Sequence, residues 1–389
     1  MRLTHPDGST LHLSYCTNVH PAEDLDGVAH QLSTVSARVR QLLDTPRLGI
    51  GLWLAAAAVP PLQTDADQLQ QLRDVLANNQ LEVVTLNGFP YGGFHDPVVK
   101  HAVYRPDWAD AARVDHTIAL AEVLHQIMPD DVEAGSISTL PLGWHDWMDD
   151  KRRQAGRDGL ERLGEALDKL HDRTGRVIRV GLEHEPGCVL DTAESVTAEI
   201  AELDIPYVTP SLDGCHLAVE FEDPAQVAAD LRQLDDGEGL PPAIKLQVSN
   251  ALRVTRDQLA DRQELLGPYV EPRFLHQTRE QTPDGVVGVD DLDAALADGL
   301  PANDEWRVHV HVPVHVDTGT TQDILRATLA EVAGDQRALA HHFEVETYTW
   351  TVLPEGRRPT TPSELAQELA NELAWTRQQL IELGCKEAS

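Results

Sequence analysis

Short apolar runs alternate with longer amphipathic ones along almost the whole chain, and this rhythm limits the fold more than any other feature. The apolar runs predict strands at Leu11–Tyr15, Leu48–Leu54, Leu81–Leu86, Gly135–Thr139, Val177–Leu182, Tyr207–Leu212, Ala243–Val248, Val308–Val316 and Phe343–Tyr348. Between them apolar residues recur at spacings of three and four, as in Leu160, Leu163, Leu167 and Leu170, the pattern of a helix with one buried face. Helix-start signals follow several strands: Asp191 with Glu194, Asp223-Pro224, and the Thr361-Pro362-Ser363-Glu364 capping box. Repeated strand–helix units build a parallel sheet with helices outside it. Eight such units, with one extra β-like run, predict an α/β protein of the (β/α)8 TIM-barrel class rather than a doubly wound sheet. No G-x-G-x-x-G follows the early strands and no G-x-x-x-x-G-K-[ST] occurs, so the Gly-rich phosphate cradles of nucleotide-binding folds are missing. The polar, Gly/Pro-punctuated stretch 255–305 reads as an insertion between the sixth and seventh barrel strands of a single domain spanning 1–389.

Composition narrows the partners. Lys+Arg total 31 against 64 Asp+Glu, giving a formal charge of −33. Phosphate neutralisation needs a basic surface, so nucleic acid is excluded as a general partner. The longest apolar stretch, 48–62, is broken by Pro60-Pro61 and is too short to span a bilayer, so direct membrane insertion is not expected. The four cysteines form no C-x-x-C pair and no secretory leader is evident, which predicts reduced thiols and a cytoplasmic location.

In a (β/α)8 barrel the carboxyl ends of the strands converge on one mouth, and here those ends are rich in polar side chains. Strand parity puts Glu183 and Glu185 on one face, and likewise Glu344 and Glu346, so either member of each pair can point inward. Inward carboxylates are costly unless paired or metal-bound. Glu183, Asp213 and Glu346 come from three different strands and are suited to a hard divalent cation, Mn2+ or Mg2+ rather than Zn2+. The Asp213-x-x-His216 step places an imidazole beside that carboxylate. Tyr15, Asn18, His20 and Asn87 read as substrate-contact groups, and so do His309 and His311, histidines of a kind that line polar barrel interiors. Cys215 beside His216 reads as a packing residue rather than a nucleophile.

Taken together, Glu183, Asp213-x-x-His216, Gln247 with Arg253 six residues on, and a final-strand Glu346 resemble the xylose isomerase-like barrels. More narrowly, Tyr15-Cys16-Thr17-Asn18-Val19-His20-Pro21, Asn87-Gly88-Phe89-Pro90-Tyr91 and Glu344-Val345-Glu346-Thr347-Tyr348-Thr349-Trp350 are similar to the bacterial metabolite traffic protein family of the EboE type. The resemblance implies a metal-dependent isomerase or epimerase acting on a sugar- or cyclitol-like metabolite, in a processing or traffic pathway that includes a membrane protein. It implies that Glu183 and Glu346 both ligate the metal and exchange a carbon-bound proton, that Asp213 is a ligand, and that His216 contacts substrate. It also implies substrate contacts from Arg253, Glu185 and Glu344. Gln247 stands where the family usually has a ligating histidine. Gln247 can ligate a hard cation through its carbonyl, though less well than an imidazole; either His276 from the insertion takes the histidine's place, or the metal is weak or absent. Two other functions compete: a metal-dependent hydrolase of the same barrel, in which His276, His309 and His311 join the carboxylates, and a non-enzymatic carrier that hands a metabolite to a membrane partner.

Overall fold

The computed structural model describes residues 1–388 apart from 236, 238, 335 and 336. Eight parallel strands close on themselves: β1 (Thr10–Cys16), β2 (Leu48–Trp53), β3 (Leu81–Asn87), β4 (Ala134–Thr139), β5 (Val177–Glu183), β6 (Val208–Asp213), β7 (Lys245–Val248) and β8 (His342–Val345). Closure comes from β8, which pairs with both β7 and β1 and sets Glu344 opposite Gln247 on one side and Ser14 on the other. The (β/α)8 class predicted from the rhythm is therefore the fold. Strands buried on both faces read as continuous apolar runs, which is why periodicity located them so closely. The helices between them bury the predicted stripes; helix Asp150–Thr174 buries Leu160, Leu163, Leu167 and Leu170. An antiparallel strand, Arg2–Thr4, pairs with β1 and with Lys386–Glu387, bringing the two ends of the described chain together.

The insertion lies one strand later than expected, between β7 and β8. The run Val308–Val316 is the odd one of the nine, because its Pro313 and its histidines follow a strand of only three residues, Trp306–Val308. That strand belongs to a separate four-stranded antiparallel sheet with Leu252–Val254, Thr278–Thr282 and Gly285–Val289. Past Val308 the chain runs irregularly over the barrel mouth, anchored by the Val312 N–H donating to Asn250 O at 2.9 Å. The last predicted strand is likewise shorter, ending at Val345, with Glu346 and Thr347 in the loop beyond it. Among the described residues no helix is long and apolar enough to cross a membrane.

Candidate active site

Three acids meet at the mouth. Glu183 ends β5, Asp213 ends β6, and Glu346 follows β8; one carboxylate oxygen from each lies within 4.8 Å of the others, and all three are buried. Asp213 shows how the local sequence builds the site. It caps the helix Gly214–Val219, its Oδ1 accepting the His216 N–H at 2.8 Å and the Ser249 hydroxyl at 2.8 Å. The D-x-x-H spacing is thus an N-cap, and it frees Oδ2, a buried atom with no hydrogen-bond partner. Glu346 Oε1 accepts from Asn18 Nδ2 at 2.6 Å and from Asn87 Nδ2 at 2.9 Å, so the ends of β1 and β3 orient the carboxylate that β8 delivers.

Three imidazoles face the same space. His216 Nδ1 lies 2.6 Å from His184 O, His309 Nδ1 lies 2.8 Å from Gln277 Oε1, and His311 Nδ1 lies 2.7 Å from Glu346 O. The Gln277 amide is fixed by donation to Tyr104 Oη and Pro186 O. Each Nδ1 therefore carries a proton toward an acceptor, and each Nε2 turns a lone pair to the cavity, the usual support of a ligating histidine. His216 Nε2 and His309 Nε2 stand 3.1 Å apart, with Glu185 Oε2 3.2 Å from the former. His311 Nε2 has no hydrogen-bond partner and lies 4.0 Å from Asp213 Oδ2.

The electrostatics follow from crowding acids in a dry place. Burial, then the neighbouring Asp213 and Glu344, pushes Glu346 up to about 8, and burial holds Glu183 well above the carboxylate range with help from Glu346 and Asp213. Burial also raises Glu185 to about 8, which makes it a proton donor to His216 at neutral pH when no cation is bound. Asp213 goes the other way: burial is outweighed by His216, His311 and the hydrogen bonds to Oδ1. Burial lowers His216 to about 4 and His309 well below its ordinary value, so these rings are neutral. Beneath this layer Lys245 Nζ lies 3.0 Å from Glu344 Oε2, and both side chains are fully buried.

A divalent cation fits these residues. Three carboxylates converge, and among the described residues Asp213 Oδ2, His311 Nε2 and both amide atoms of Gln247 are buried without hydrogen-bond partners, a condition that protein interiors rarely carry. Gln247 shares the inward face of β7 with Lys245 and sits in register with Asp213. The cavity above, open on one side, leaves about 60 Å³ to water-sized molecules and has Asn18, Asn87, Glu183, Glu185, His216 and Glu346 among its lining.

Other expected site residues are placed elsewhere. Tyr15 points out of the barrel, because it alternates with the inward Cys16; its hydroxyl meets Ser36 Oγ at 2.5 Å and His20 Nε2 at 3.1 Å, which takes both Tyr15 and His20 away from the cavity. Arg253 lies on the insertion sheet and pairs with Asp323 at 2.9 Å. His276 turns its Nε2 to Glu271 at 3.2 Å rather than to the acids; the imidazoles beside the Asp213 carboxylate are His216, 3.7 Å from Oδ1, and His311, 4.0 Å from Oδ2. Glu344 points inward but one layer deeper, pressed against Gly51 of β2, where a side chain would collide with its carboxylate. Two contributors escaped the sequence reading. Tyr104 donates its hydroxyl to Glu185 Oε1 at 2.7 Å. Glu372, buried on helix Pro362–Glu382, accepts from Thr347 Oγ1 at 2.6 Å and Trp350 Nε1 at 3.1 Å and so fixes the loop after Glu346. Tyr104 sits in a loop with no strand end to mark it; Glu372 interrupts the buried face of an amphipathic helix, the one clue available.

A scan against family models finds no match, and a search of curated proteins finds none. Solved structures do match. A D-psicose 3-epimerase from Clostridium cellulolyticum H10, determined with D-tagatose, aligns over 95% of this chain and 99% of its own at 11% identity and a TM-score of 0.52. A sugar phosphate isomerase/epimerase candidate from Anabaena variabilis ATCC 29413 aligns over 97% of this chain and 100% of its own at 11% identity and a TM-score of 0.51. At that identity the likeness is one of fold: the chain is built as a (β/α)8 barrel, as these two structures are.

Proposed function

We propose that this protein is a metal-dependent isomerase or epimerase acting on a small sugar- or cyclitol-like molecule. The observation that carries the reading is the convergence of Glu183, Asp213 and Glu346 around unpartnered buried atoms. These three would hold a divalent ion, Mn2+ or Mg2+, with Gln247 and His311 placed to add a neutral ligand. When bound, such an ion supplies positive charge against a substrate carbonyl and its neighbouring hydroxyl, which acidifies the intervening C–H. Glu183 and Glu346 then act on either side of that carbon, one removing the proton and the other returning it. Asn18 and Asn87 keep Glu346 oriented through the exchange, and the neutral His216 accepts a hydrogen bond from substrate. The resemblance to EboE-type proteins supports placing this chemistry in a cytoplasmic metabolite-processing or traffic pathway, with a membrane protein of that pathway as a contact.

The test is exchange of a ketose α-proton with solvent deuterium in the Mn2+-loaded protein, scored by mass. Glu346→Gln should abolish exchange while circular dichroism stays native. Full exchange by that variant rejects the assignment. A second reading, a two-cation hydrolase, is favoured by one observation: Glu185, His216 and His309 form a further group within 4.8 Å, with two imidazole lone pairs facing each other. Metal analysis decides between them, one Mn2+ per chain supporting the isomerase and two Zn2+ the hydrolase.

A further inference from the structure

We infer that the substrate carries an apolar extension, an aryl or alkyl group, beyond the polar head that the acids and histidines recognise. The inference rests on the isomerase or epimerase reading only for where the head lies. The cavity is polar at its floor and apolar along its walls. Phe89, Pro90, Phe94 and Val103 come from the long loop after β3, and Phe274 and Leu275 from the insertion; all six line the cavity. Phe94, Phe274 and Tyr348 meet in a mutual cluster with ring centroids 5.0–5.3 Å apart. Of the polar groups that reach these walls, Lys100 and Tyr104 are already engaged, which leaves the Tyr348 hydroxyl. Lys100 Nζ lies 2.5 Å from Asp291 Oδ2, and the Tyr104 hydroxyl is taken by Glu185 and Gln277.

A chain of hydroxyls laid along such walls would exchange water for carbon and leave most of them unpaired, a net cost to binding. An aryl or alkyl group gains there instead, by burial and by edge-to-face contact with the rings. Fully hydroxylated hexoses are therefore the wrong shape of chemistry for the outer half of this site, although their first carbons suit the inner half.

The experiment is calorimetric titration of the Mn2+-loaded full chain with four probes: dihydroxyacetone, D-fructose, 2-hydroxyacetophenone and acetophenone. The expected result is that 2-hydroxyacetophenone binds at least tenfold tighter than D-fructose and dihydroxyacetone, and that Phe274→Ala and Phe94→Ser each cut that preference at least threefold. Equal or tighter binding of D-fructose overturns the inference, as does a preference untouched by both variants or no binding by either aromatic probe. Acetophenone separates this idea from the function above: if it binds while no ketone exchanges its α-proton, the apolar wall stands and the isomerase reading falls.

Discussion

Lys245→Met tests whether the site is supported from below by a buried charge. Lys245 and Glu344 are fully buried and 3.0 Å apart, and the ammonium also reaches Leu86 O at 3.3 Å. Removing the lysine leaves the Glu344 carboxylate without its cation, beneath acids that already repel it. Breaking one partner of such a pair costs about 3–5 kcal/mol, whereas replacing both costs far less, because the expense lies in the orphaned charge rather than in the lost attraction. Against a total stability of about 5–15 kcal/mol, the single change is close to unfolding the barrel. The double variant Lys245→Met/Glu344→Gln keeps the volumes and removes the charge, and should recover at least about 2 kcal/mol of the loss. Equilibrium urea unfolding in EDTA, extrapolated linearly to water, measures both. A single variant within about 1 kcal/mol of the parent, or a double variant whose loss is the sum of the two single losses, would refute the reasoning.

The remaining predictions concern the mouth. Glu346 and Glu185, both raised to about 8 from an ordinary 4.5, hold their protons more tightly folded than unfolded, so their stabilising contribution is full below pH 4.5 and is lost as pH rises through 8. The metal-free protein should therefore melt at progressively lower temperature from pH 6 to 8, a range in which His216, at about 4, stays neutral; saturating Mn2+ should flatten the slope, and a flat profile in EDTA would contradict the pKa assignment. Gln247→His should tighten Mn2+ or Zn2+ binding by about tenfold, read by competition with a fluorescent chelator, because an imidazole would stand in register with Asp213. Glu372→Leu orphans the Thr347 and Trp350 donors; it should cost about 2–4 kcal/mol and slow α-proton exchange by displacing the loop that carries Glu346.

Much of this was legible from residue order. Strand parity and the D-x-x-H step led to Glu183, Asp213 and Glu346, because a parallel barrel converts position at a strand end into position in space. Parity also left both members of each Glu pair inward, and the structure uses all four: Glu183 and Glu346 in the acid group, Glu185 with His216, Glu344 with Lys245. What failed was anything that depended on the insertion. Arg253, His276 and His311 have no strand register relating them to the barrel, so spacing along the chain could not say which of them reaches the mouth. Tyr15 failed for the opposite reason: it obeys register but lies on the outward parity, where a polar hydroxyl meets Ser36.

His309 and His311 arrive on a segment that leaves its own sheet, where His309 N–H donates to Gln277 O at 2.8 Å, and reaches the barrel only through loop contacts such as Val312 N–H to Asn250 O and His311 Nδ1 to Glu346 O. The cylinder can close without them. These histidines and the aromatic Phe274 can accordingly be exchanged as a cassette during evolution, letting one inherited scaffold change what its mouth accepts while the eight-strand hoop and its acids stay as they were.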